Sequence, residues 1–290
     1  MVPERVDLLI KSALVVTVDA GDRILEGADI AVREDRILAL GRGLPYEADK
    51  VIDGRGKAAL PGFVDAHMHE TLMRGFCEDL PLMEWLEKIC FPKDRAMQPH
   101  HAYAGAMVNQ LEMIRAGITT SVDIWRYPAE GARVAEQSGL RVVFTPQIIE
   151  TPAGAGETLE STTAFIEAWK DRVPGRIYTW YGPHAPYSCS PALYREIAVR
   201  AQHYGVGVHT HLAETRAEVE QIRARHGVSP ASPRLRRAGR PPRFLIPRQP
   251  LWMQRASPCC APSARARHPT ACAPATAGGP GRRCCCNPRK

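Results

Sequence analysis

At 290 residues the chain is long enough to bury a sizeable core, as one barrel or as two smaller domains. Its formal net charge of +7 is unevenly spread: residues 229–290 hold 13 of the 38 basic residues and none of the 31 acidic ones, so residues 1–228 carry a net charge of −6. No run approaches the roughly 18 apolar residues of a membrane helix, and MVPERVDLLI, with charges where a signal core would be apolar, does not read as a secretory signal, so a soluble cytoplasmic protein is expected.

Residues 6–60 read as short strands. VDLLIKSALVVTVD, ADIAVREDRILALG, KVID and KAAL alternate apolar and polar residues, and turn signals at 19–22, 33–36 and 53–56 separate them. This pattern predicts part of a small β-sandwich over residues 1–59. From Leu60 onward the texture becomes apolar strand, loop and amphipathic helix in repetition. Strands are predicted near 60–67, 119–124, 141–146, 176–182 and 206–211, with helices near 98–116, 129–138, 157–172, 190–204 and 214–226. That alternation argues for βαβ units around a parallel sheet. Five units over residues 60–228 fit the first five-eighths of a (β/α)8 barrel, whose sites lie at the C-terminal ends of its strands. The connection from His69 to Gln98 is long, with a short helix at 81–90, and loops of that length suit lids or substrate loops. The fold class is therefore α/β: a partial (β/α)8 TIM barrel preceded by half of a small β-sandwich.

Cys77, Cys90 and Cys189 are scattered through the body and read as buried free thiols in a reducing compartment. Residues 229–290 differ in kind, holding 12 of the 25 prolines and six of the nine cysteines. A basic nucleic-acid arm and a zinc module both come to mind, but the cysteines lack the spacings that wrap a tetrahedral ion. Enrichment in Arg, Pro, Ala, Gly and Cys is also what GC-rich coding DNA yields out of frame. That third reading is favoured, and it leaves nucleic acid disfavoured as a partner.

Two stretches carry the chemistry. LPGFVDAHMHE ends an apolar strand in His67 and His69, whose Cα atoms lie roughly 7 Å apart on one strand face, so both imidazoles can converge on one ion. VGVHTH repeats the device at His209 and His211, and LAET follows. One His-x-His is a weak signal with an ordinary structural alternative. Two of them at strand ends suggest one shared site.

PGFVDAHMH, EDLPLMEWL, GPHAPYSCSP at 182–191 and HTHLAET at 209–215 resemble the amidohydrolase superfamily. Within it, the motifs are most similar to the branch of 5-methylthioadenosine/S-adenosylhomocysteine deaminases and triazine hydrolases. The resemblance runs from about Val6 to about Pro230, then stops. It implies a metal-dependent hydrolase of non-peptide C–N bonds, with deamination of an aminopurine nucleoside or related heterocycle foremost and a triazine-type hydrolase as the alternative. By the same resemblance His67, His69 and His211 are the ligands of one divalent ion, zinc or else iron. Glu214 is then the general acid and base, His184 and Arg74 contact a small-molecule substrate, and His209 is a packing or supporting residue. His100, His101, His203 and His226 have no partner motif and read as surface histidines.

Three departures matter. Where the nucleoside deaminases carry a ribose-binding Glu after a Pro, this chain reads Pro92-Lys93-Asp94. The family also takes a histidine from strand six and an aspartate from strand eight, yet no Asp follows Asp171 and His268 is the one histidine beyond His226. The sequence thus predicts a C-terminally truncated site, inactive or nearly so. An unclosed sheet of this kind is compatible with oligomers.

Overall fold

The computed structural model describes residues 4–71, 79–151 and 156–230. Its first layer is a five-stranded mixed sheet. β1 (Glu4–Val16) lies at its centre, antiparallel to β2 (Ile24–Arg33), which in turn pairs β3 (Arg36–Gly41). On its other side β1 runs parallel to β4 (Tyr46–Asp53) and β5 (Ala58–Ala59). β1 buries Val6 and Leu9 in one small apolar cluster and Ala13 and Val15 in a second, with an irregularity in its pairing to β2 between Ile10 and Ala13.

The second layer is a parallel sheet in the order β10-β8-β7-β6. β6 (Phe63–Met68), β7 (Ile118–Asp123), β8 (Arg141–Phe144) and β10 (Ile177–Thr179) are joined by α3 (Pro99–Arg115), α4 (Pro128–Ser138) and α5 (Leu159–Trp169). Met113, Ala132, Ala135, Phe144, Phe165, Trp169 and Ile177 fill the space between this sheet and these helices. Just beyond, β9 (Gln147–Ile148) pairs β11 (Gly182–Pro183), also in parallel. Then come α6 (Pro191–Tyr204), capped by Ser190, and α7 (Arg216–His226), capped by Thr215.

Two predicted elements differ. The short helix does not end at 90: α1 (Leu82–Trp85) passes through a π-helical turn at Leu86–Cys90 into α2 (Phe91–Ala96). Pro92 sits within the first two positions of α2, directly after that turn. The strand expected at 206–211 reduces to one parallel bridge, Tyr181 to Val208, extended by hydrogen bonds from Tyr181 N to Gly207 O and from His209 N to Tyr181 O. Neither change moves the strand ends. β6, β7, β11 and the 208–211 segment all finish on one side of the sheet. No helix among the described residues is long and apolar enough to cross a membrane.

Candidate metal centre

His67 lies on β6, His69 just beyond it, and His211 follows the bridge at Val208. About 140 residues of sequence separate the two motifs, yet one ligand atom from each of the three histidines lies within 4.8 Å of the others. Their ring centroids are 5.1, 4.8 and 5.3 Å apart for the pairs 67–69, 67–211 and 69–211.

Hydrogen bonds fix how these rings present themselves. Nδ1–H of His69 donates to Ile124 O at 2.6 Å and Nδ1–H of His211 to His184 O at 2.8 Å. A carbonyl only accepts, so both rings are Nδ1–H tautomers with the Nε2 lone pair free. Nδ1 of His67 meets Nε2 of His209 at 2.8 Å. If His67 donates there, its Nε2 is free as well. Burial holds all three histidines below the ordinary imidazole pKa, His69 down to about 3, with His211 adding to the effect on His67 and His69. Neutral rings with one nitrogen tied back and the other open are what a divalent cation binds. The residues fit zinc or iron. A tetrahedral zinc with bonds of about 2.0–2.1 Å needs its nitrogens closer than 4.8 Å, so ring rotation about χ angles would close the set.

His209 contacts the cluster through His67 Nδ1, and burial lowers its pKa to about 4. His184 is 5% exposed, its ring 4.9 Å from that of His211. Burial brings its pKa down to about 3. Ser188 Oγ donates to Ala185 O at 3.2 Å, leaving its lone pair for His184 Nδ1–H at 2.7 Å, so His184 also keeps Nε2 as an acceptor. Glu214 is exposed, with its Oε2 3.5 Å from Tyr187 OH. Burial, then the charge of Glu218, raises its pKa, and the charge of His67 opposes that shift. Arg74 lies outside the described residues.

Several buried residues were given no role by sequence. Trp125 packs its ring 4.7 Å from that of His69. Glu70, fully buried, accepts from Gln110 Nε2 at 2.8 Å and Ser121 Oγ at 3.1 Å, and its N–H donates to Asp123 Oδ1 at 2.7 Å. Burial and the charge of Asp123 push the Glu70 pKa well above the carboxylate range. Asp94 is 1% exposed, its carboxylate 3.8 Å from the Arg126 guanidinium, and burial raises its pKa to about 6. An acid or a tryptophan that follows a strand, like Glu70 after β6 or Trp125 after β7, carries no mark in the sequence of which side it faces.

A family model described as "Amidohydrolase family" matches residues 58–233. A 5-methylthioadenosine/S-adenosylhomocysteine deaminase of Pelotomaculum thermopropionicum is 37% identical over 230 residues, covering 77% of this chain and 53% of that protein. A 5'-deoxyadenosine deaminase of Methanosarcina acetivorans is 36% identical over 225 residues, covering 76% and 52%. Among solved structures, a zinc-bound adenosine deaminase from Xanthomonas campestris superposes with a TM-score of 0.75 at 30% identity, covering 81% of this chain and 55% of that one. An atrazine chlorohydrolase from Arthrobacter aurescens complexed with zinc gives 0.69 at 25% identity, covering 80% and 58%. The chain spans about half the length of the curated relatives it matches.

Proposed function

Because this chain belongs to the amidohydrolase family, we propose that its site is built for hydrolytic deamination of a 6-aminopurine nucleoside, with a divalent ion held by His67, His69 and His211. The named relatives at 30% identity or more, acting on methylthioadenosine, S-adenosylhomocysteine, 5'-deoxyadenosine and adenosine, share an adenine base on a ribose-like ring. We also read β6, β7, β8, β10 and the 206–211 segment as five units of an eight-unit barrel, and the first sheet as half of a sandwich.

One observation carries the reading: three neutral imidazoles converge with Nδ1 tied back, and Glu214 stands beside His67 and Tyr187. A divalent ion there supplies Lewis acidity and lowers the pKa of water. Glu214, with its pKa raised, can take a proton from the attacking water and hand it to a ring nitrogen, then carry a second proton from the new hydroxyl to the amino group, which leaves as ammonia. His184 Nε2 is an acceptor for a donor on the substrate, and the Trp125 and Tyr187 rings offer apolar walls to a flat heterocycle.

The test is ammonia release from adenosine and 5'-methylthioadenosine by the zinc-loaded chain. Glu214→Gln should cut the rate about 100-fold or more, in line with the loss of an acid–base group. A rate unchanged by that substitution refutes the role of Glu214. A second reading, a metal-binding remnant without turnover, is favoured by one fact: residues 221–290 hold no acidic residue to join the three histidines. It predicts zinc binding with ammonia release at background. The chlorohydrolase alternative is read in the same assay as chloride release from a chlorotriazine.

A further inference from the structure

We propose that Glu218 is a positioning residue for Glu214: its buried carboxylate clamps the peptide groups of Ala213 and Glu214 and so sets where the Glu214 side chain stands. The inference rests on the reading of Glu214 as the proton carrier. Glu218 Oε2 accepts from Glu214 N at 2.7 Å and Oε1 from Ala213 N at 3.0 Å, while Glu218 is 4% exposed. An acid at the third position of a helix usually turns back to the N–H of the capping residue, here Thr215. Glu218 receives half of that arrangement, since its own N–H donates to Thr215 Oγ1 at 3.1 Å. Its carboxylate reaches further, past the cap, to Ala213 and Glu214 in the link from His211 to α7.

Those residues need holding. Ala213 has a φ of 57°, the left-handed region that a residue with a Cβ adopts only against steric crowding. Two charge-assisted hydrogen bonds to consecutive N–H groups offset that crowding and fix the turn. The turn aims Glu214 at Tyr187 and toward His67. The groups facing the Glu214 carboxylate are then His67 from β6, Tyr187 from the loop before α6, and Glu218 itself from α7. Glu218 thus combines two actions on Glu214: it places the backbone and adds a negative charge nearby.

The test uses the full chain, zinc-free and zinc-loaded, with labelled amides and labelled glutamate carboxyls, the Glu214 signal being identified by its loss in Glu214→Gln. In Glu218→Gln one of the two N–H groups faces an amide NH2 instead of an oxygen. Hydrogen exchange at Ala213 and Glu214 should rise about tenfold, the equivalent of one lost hydrogen bond. The Glu214 carboxyl should titrate at lower pH, and zinc affinity should stay within about twofold. Should Glu218→Gln not fold, Glu218→Asp, one methylene short of both N–H groups, is read in its place. Unchanged exchange and an unchanged Glu214 titration overturn the proposal. So does exchange that rises equally along 216–226, which would make Glu218 a helix cap alone. A Glu214→Gln chain that still releases ammonia would refute the acid–base reading and leave the clamp standing.

Discussion

His184 gives a quantitative handle on the site. Its imidazole is 5% exposed with a pKa lowered from 6.5 to about 3, by burial first and by His211 second. The native state therefore holds it neutral, while the unfolded chain takes up a proton below about 6.5. Stability from this residue is fully present above that value and is lost progressively as the pH falls toward 3, at about 1.4 kcal/mol per unit. Between pH 7 and pH 5 the loss is about 2 kcal/mol, a large part of the 5–15 kcal/mol of an ordinary domain. The assay is urea unfolding followed by tryptophan fluorescence at both pH values in chelator, for the chain and for His184→Gln. The variant should lose about 2 kcal/mol less than the parent over that interval. Equal losses would refute the claim that this ring is held neutral.

Three further outcomes follow from the geometry. His211→Ala should abolish zinc binding at micromolar concentration by calorimetry, because two imidazoles remain and the ring linking β6 to the 208–211 segment is gone. His209→Ala should weaken zinc about 10–100-fold, as loss of a partner to a ligand's second nitrogen does, with the His67 tautomer shift visible by nitrogen NMR. Gly182→Ala places a Cβ 2.4 Å from Thr145 O and 2.6 Å from Pro146 O, both backbone atoms that cannot turn aside. It should destabilise by about 1–3 kcal/mol in the same urea assay and weaken zinc, since β11 leads directly into His184.

Much of this could be read from the residues because the apolar runs are short, bounded and periodic. β6, β7 and β8 fall where VDAHM, TTSVD and RVVF alternate or cluster, and α3 to α7 begin and end within a few residues of their expected places. What escaped reading has local physical causes. Pro92 signals a helix end, but the π-helical turn before it leads into α2, which begins at Phe91 with the proline in its first two positions. At 206–211 the apolar pattern is strand-like, yet the backbone there makes its hydrogen bonds at spaced points, to Tyr181 and His184, and forms a single bridge. Alternation put His209 on the same face as His211. There it meets Nδ1 of His67, a contact that no spacing within one segment encodes. Glu70 and Asp123 resemble any polar residues at strand ends until the helix carrying Asn109 and Gln110 is laid over them.

The tied-back nitrogens have a mechanical meaning. Ile124, which receives His69, follows β7; His184, whose carbonyl receives both the ring and the N–H of His211, follows β11; His209 braces His67 across to β6. An ion drawn in by these three rings pulls on four separate stretches of chain at once. It would act as a strut across the mouth of the sheet, and its binding energy would be shared with the closure of those segments. Saturating zinc at 100 times its dissociation constant would then add about 2.7 kcal/mol to the stability of the sheet. In such an arrangement the loading of the metal and the folding of the strands that carry it become one equilibrium, and a chelator is as much a denaturant as an inhibitor.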